Sequence, residues 1–172
     1  MKGNESADDM ARKALVKEKI EFQVSLSKAE VKSVVWERIN QMWQERWDGE
    51  SKGRHLYNVQ KSVKVRRVGS GQRREEIVLT RLRLGHSGLN KTLKLMGKHE
   101  SGLCEGCQEE ETVEHVLMEC REYETERNNM RDKLRDLGMG EFSLRGILAM
   151  NNRLYVKTLL GFLRDIGIYD RL

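Results

Sequence analysis

Proline is absent from this 172-residue chain, so no helix is interrupted by a missing backbone donor. Element boundaries must come from glycines, capping side chains and apolar spacing. Long apolar runs are missing too. None approaches the roughly 18 to 20 residues of a membrane-spanning helix, which excludes a membrane partner. The N-terminus, MKGNESADDM, has no apolar stretch behind its basic residue, so a secretory signal is not expected and the setting is intracellular, nuclear and/or cytoplasmic. Cysteine is scarce at three residues, which cannot all pair. In an intracellular setting such a group is more often a metal or redox site than a disulfide framework. Apolar residues at 38% and charged residues at 34% allow a core, but not a generous one.

What the chain does have is charge, arranged in blocks. Residues 52–99 carry thirteen Lys or Arg against Glu75 and Glu76, and residues 100–126 carry ten Glu against Arg121. The first block is the electrostatic footprint of a phosphate-backbone binder, although a charge run is as often a solvated surface.

Apolar periodicity places the elements. Residues 5–19 read as a helix with Ala7, Ala11, Ala14 and Leu15 on one stripe. Ser27 and Glu30 match a capping box, and Val31, Val35, Ile39, Met42 and Trp43 continue at helical spacing, which predicts a helix over 28–47 closed near Gly49. From 55 to 68 the period becomes two, with Tyr57, Val59, Val63 and Val65 alternating, which predicts a short β-hairpin arm or a basic linker before Gly69 to Gly71. Helices follow over 73–84 and, after a turn at Gly85 to Gly88, up to about Gly97. Tyr123, Met130, Leu134 and Leu137 mark another, stopped by Gly138. A last helix over 151–166 carries Val156, Leu159, Leu160, Leu163 and Ile166 on its apolar face. The expected fold is mainly α, a small helical domain built around the cysteine cluster.

All three cysteines lie within CEGCQEEETVEHVLMEC, residues 104–120. Cys104, Cys107, His115 and Cys120 have the spacing C-x2-C-x7-H-x4-C. Two intervening residues let the first pair of sulfurs point at one ion, with Gly106 giving freedom for the tight turn, and three thiolates with one imidazole suit a single, closed, structural Zn2+. A catalytic zinc would keep a position open for water, which this set does not offer. Thr112 stands where a helix N-cap would stand. His115 and Cys120 are about 140° apart on an ideal helix, so the helix is expected to loosen before Cys120. The alternative is three buried reduced cysteines beside a histidine.

The phrases RLRLGHSGLNKTL, LCEGC and ETVEHVLMEC, followed by Tyr123 and Arg127, resemble the C-terminal tail of LINE-type, non-long-terminal-repeat retrotransposon polyproteins that carry reverse transcriptase and ribonuclease H. The resemblance covers about residues 73–172 and includes a final helix ending GFLRDIGIYDRL. At the other end, GNESADDMARKAL looks like the closing motif of the retroelement ribonuclease H domain, which maps its last metal-binding carboxylate onto Asp8. The resemblance implies three further carboxylates and a histidine upstream of this motif, and they are not in this sequence. One carboxylate cannot position two magnesium ions, so Asp8 reads as a relic and no catalytic residue is expected. The implied organisation is a remnant of the ribonuclease H C-terminal helix over 1–24, a helix with a basic linker over 25–72, and a helical zinc-knuckle tail domain over 73–172.

These readings converge on a non-catalytic, zinc-binding tail that contacts RNA or DNA. Arg66, Arg67, Arg73, Arg74, Arg81 and Arg83 would supply phosphate contacts, with Lys91, Lys94 and Lys98 adding to them. The alternative is a protein interaction module in which the acidic knuckle of one copy docks on the basic segment of another. A third reading is residual cleavage of RNA/DNA hybrids.

Overall fold

The computed structural model describes residues 2–16, 25–65 and 71–172. It is mainly helical. Eight α-helices follow in order: α1 Lys2–Leu15, α2 Lys28–Gly49, α3 Arg54–Val59, α4 Arg73–Leu84, α5 Asn90–Leu95, α6 Glu124–Asp136, α7 Leu144–Leu148 and α8 Arg153–Asp165. Among the described residues there is no strand, only an isolated antiparallel bridge between Leu103 and Glu110. No described helix is long and apolar enough to cross a membrane. The chain separates into two compact units, Met1–Ile39 and Asn40–Leu172, and the division falls within α2.

In the first unit the capping box at the start of α2 forms as its sequence predicts. The Ser27 N–H donates to the Glu30 carboxylate at 2.7 Å, and the Glu30 N–H donates to the Ser27 hydroxyl at 3.3 Å. Two donors that a helix start would orphan are thereby satisfied. The apolar stripe of α2, however, lines no core: Val31 is 46% exposed and Val35 is exposed as well.

The second unit holds the core. Val156, Leu159, Leu160 and Leu163 of α8 fall at helical spacing and are all buried, packing on Met130 and Leu134 of α6. Val78, Leu79 and Leu82 of α4 close the same core with Ile147 and Leu148 of α7. Short helix α7 went unseen in the sequence: Leu144, Ile147 and Leu148 stand at helical spacing, but five residues are too few to establish a period. It starts where the Ser143 hydroxyl accepts the Gly146 N–H at 3.1 Å.

The alternation over 55–68 does not build a strand. Residues 54–59 are helical, entered through Gly53 at φ 68°. His55 and Val59, one turn apart, face inward: the His55 Nε2 lies 2.9 Å from the Leu82 carbonyl, and Val59 is buried. Tyr57 points elsewhere, edge-on to Trp47 at 5.7 Å with the Arg54 guanidinium 4.0 Å from its ring centre. Tyr57 and Val59 therefore do not share a face, which a strand would require. Residues 66–68 lie outside the described residues.

Candidate metal centre

The cysteine and histidine cluster is assembled by three local devices. A loop carries Cys104 and Cys107 and returns through the Leu103–Glu110 bridge, closed by the Gln108 N–H on the Cys104 carbonyl at 3.0 Å and the Cys104 N–H on the Glu109 carbonyl at 2.7 Å. The left-handed residue of this turn is Gln108, at φ 59°. Gly106 serves space rather than backbone freedom, because a Cβ there would sit 2.2 Å from the Glu122 Cγ. Next, Thr112 caps the following helical turn, its hydroxyl accepting the His115 N–H at 2.9 Å. Finally, the helix widens. The Cys120 N–H reaches back five residues to the His115 carbonyl at 2.7 Å, a π-type turn that brings Cys120 round to the side of His115. Val116 and Leu117 are buried under this turn and tie it to the core.

The outcome is four ligand atoms within 4.8 Å of one another and no disulfide. The Cys104 and Cys107 sulfurs lie 3.8 and 3.7 Å from that of Cys120, and the Cys107 sulfur is 3.1 Å from the His115 Nε2. A tetrahedron with metal–sulfur bonds of about 2.3 Å has sulfur–sulfur edges of about 3.8 Å, so the two sulfur–sulfur spacings match a tetrahedral ion, while the sulfur–nitrogen distance would have to open to about 3.5 Å. The protonation pattern fits as well. Burial works to raise the Cys104 thiol, but the backbone N–H groups of Cys107 and Gly106 and the neighbouring sulfurs outweigh it and lower its pKa. Burial pushes Cys120 up to about 12, with the Cys107 and Cys104 sulfurs adding to the rise. Three converging thiols cannot all ionise on their own, and a divalent cation removes that conflict.

Around the ligands, the His115 Nδ1 is buried without a hydrogen-bond partner, with the Glu109 and Glu119 carboxylates at 3.6 and 4.0 Å. Burial and the nearby sulfurs push Tyr123 up to about 12. Glu111, buried, accepts the Asn90 N–H at 2.6 Å and both Arg171 guanidinium nitrogens at 2.9 and 2.6 Å. That network joins the cluster loop to the start of α5 and to the final turn, Tyr169–Arg171. Sequence reasoning gave no structural role to Glu111, Arg127 or Arg171. Nothing in a run of ten glutamates marks Glu111 as the buried one.

The basic segment divides. Arg83 is buried, and its Nε donates to the Leu148 carbonyl at 2.9 Å. Arg74 donates to the Tyr169 and Asp170 carbonyls, both at 3.2 Å, and Arg81 to the Leu172 carbonyl. Lys91 pairs with Glu110. Arg73, Lys94 and Lys98 are exposed. Arg66 and Arg67 lie outside the described residues. The LRLGHSGLN phrase is thus a docking surface for the C-terminal turn. Gly88 shows how close the approach is, since a Cβ there would sit 1.9 Å from the Arg171 carbonyl oxygen.

Two curated proteins are similar in sequence to this chain. The Retrovirus-related Pol polyprotein from type-1 retrotransposable element R1 2 of Nasonia vitripennis is 33% identical over 132 residues, covering 74% of this chain and 31% of that protein. That from element R1 of Bradysia coprophila is 30% identical over 152 residues, 88% of this chain and 13% of the relative. Its homologues are R1-type LINE retrotransposon Pol polyproteins. The chain spans less than a third of the length of the curated relatives it matches. No family model matches the sequence, and no solved structure matches the fold. Seen against such a polyprotein, Asp8 sits exposed on α1, and no described cluster of metal-holding side chains includes it.

Proposed function

We propose that this chain is a zinc-held, nucleic-acid-binding module of a retroelement Pol polyprotein, and that it performs no catalysis itself. The observation that carries the reading is the convergence of Cys104, Cys107, His115 and Cys120 at tetrahedral spacing. Three thiolates and one imidazole fill the coordination sphere of zinc, leaving no position for a reacting water. The zinc would therefore act on structure, fixing the loop and the π-type turn against the core through Val116 and Leu117. Asp8, in the phrase that resembles a ribonuclease H closing motif, is exposed and joins no metal-holding group among the described residues.

Phosphate contact falls to the cations that the fold leaves outward. Arg73, Lys94 and Lys98 are exposed, whereas Arg74, Arg81 and Arg83 are engaged by backbone carbonyls. Lys94 belongs to α5 and Lys98 to the turn after it, and both are exposed. A titration against RNA, duplex DNA and a hybrid at two salt concentrations tests the reading. Each phosphate neutralised contributes a slope of about −0.9 in log affinity against log salt for duplex DNA. Replacing Lys94 and Lys98 with alanine is expected to weaken binding and flatten that slope by about one to two units. Unchanged affinity and slope would remove the basic segment as the contact surface. Salt-sensitive self-association without nucleic acid would favour the interaction-module alternative, and magnesium-dependent cleavage of a hybrid that disappears in Asp8→Asn would overturn the non-catalytic assignment.

A further inference from the structure

Arg127 lies on the first turn of α6 and is 5% exposed. Its Nη2 donates to the Cys120 carbonyl at 2.6 Å, and its Nη1 is buried with no hydrogen-bond partner at all. No carboxylate forms an ion pair with it among the described residues. A guanidinium does not give up its proton in a protein, and a buried charge without a counter-charge is strongly destabilising. A single backbone carbonyl does not neutralise it.

The missing negative charge is next door. Three thiolates and a neutral imidazole on a divalent cation form a centre with one net negative charge. Resting on the zinc-centre reading above, we infer that Arg127 is the buried counter-ion of the metal–thiolate centre, positioned behind Cys120 by its hold on that residue's carbonyl. With the metal bound, guanidinium and centre neutralise each other in a site that water does not reach. Without it, the buried guanidinium keeps the Cys120 carbonyl as its hydrogen-bond partner and its Nη1 has none. Arg127 thus couples occupation of the cluster to the docking of α6, the helix that packs on α8. It touches neither metal nor ligand sulfur, and acts as a positioning and charge-compensating residue.

A purely structural role would rest on the hydrogen bond to the Cys120 carbonyl, and two substitutions separate the possibilities. Glutamine can still donate to that carbonyl but is neutral. Lysine keeps the charge but loses the fork. Metal affinity is measured on the full chain by cobalt titration, read from the thiolate charge-transfer band, followed by competition with zinc. Arg127→Gln is expected to weaken affinity 10- to 100-fold, the range seen when an outer-sphere partner of a metal ligand is removed, and Arg127→Lys is expected to recover most of it. The decisive arm changes the charge of the centre. In a Cys120→His background the ligand set becomes neutral on zinc, and adding Arg127→Gln should cost no more than about twofold there. This background also gives a readout if Arg127→Gln fails to fold with the native ligands: folding restored by Cys120→His supports the counter-ion role. Equal affinity of Arg127→Gln and the unaltered chain, or an equal penalty in both backgrounds, would overturn it. If the unaltered chain binds no cobalt or zinc, the metal centre itself falls, and the counter-ion with it.

Discussion

Helix α8 carries apolar side chains at 156, 159, 160 and 163 and buries all four, whereas α2 carries Val31, Val35, Ile39, Met42 and Trp43 on one stripe, of which Ile39 is half-buried and the other four are 46 to 55% exposed. The way each helix starts does not distinguish the two, although α8 concentrates its apolar residues on one face far more than α2 does. α2 begins at a closed capping box, and α8 begins where the Asn152 side chain accepts the Leu154 N–H at 2.8 Å. The difference lies in what each helix meets. α8 packs on α6 and lies over the core that the cluster loop, α4 and α7 complete, while the α2 stripe remains open to solvent. Apolar spacing makes a helix amphipathic, but burial depends on a second surface reaching it.

The contrast predicts a steep gradient of sensitivity. Its largest element is the metal. Structural zinc sites contribute on the order of 10 kcal/mol to folding, so chelation or Cys107→Ser is expected to unfold residues 103–121 and loosen α6 and α8 while leaving the helicity of α2 in place. Amide hydrogen exchange resolved by segment checks this, and uniform protection loss across both helices would erase the contrast. Next comes the core: Leu160→Ala, at a fully buried position, should cost about 2 to 5 kcal/mol in denaturant unfolding. Arg83→Met removes a buried donor from the Leu148 carbonyl and should cost about 1 to 3 kcal/mol, although a reading of Arg83 as a phosphate ligand would have it alter affinity alone. Smallest is Val35→Ala on the open stripe, expected within about 0.5 kcal/mol. A loss of 2 kcal/mol there would mean that the stripe is covered in solution.

Much of the secondary structure was legible. The helix over 73–84 coincides with α4, the capping box forms, and the loosening before Cys120 appears as the π-type turn. These features are legible because helix starts, glycine stops and ligand spacing are local. The reading over 55–68 differed because alternation in so short a stretch also suits a single helical turn, and the partner surface around Leu82 selects between them. The cysteine and histidine cluster was legible for a related reason: its four side chains fall within seventeen residues, so one loop and one turn suffice to bring them together.

The sequence by itself determined the helical content, the caps and which four side chains converge in the cysteine and histidine cluster, since each depends on contacts a few residues apart. Only the tertiary structure decided which charges serve the fold. Arg74, Arg81 and Arg83 bind carbonyls some 65 to 96 positions away, Glu111 bonds Arg171 across 60, and Arg127 turns inward behind Cys120. A guanidinium looks the same in a sequence whether it faces solvent phosphate or a buried carbonyl. Which of these it meets depends on how distant segments pack, because desolvating an arginine is tolerable only where the fold supplies acceptors or counter-charge.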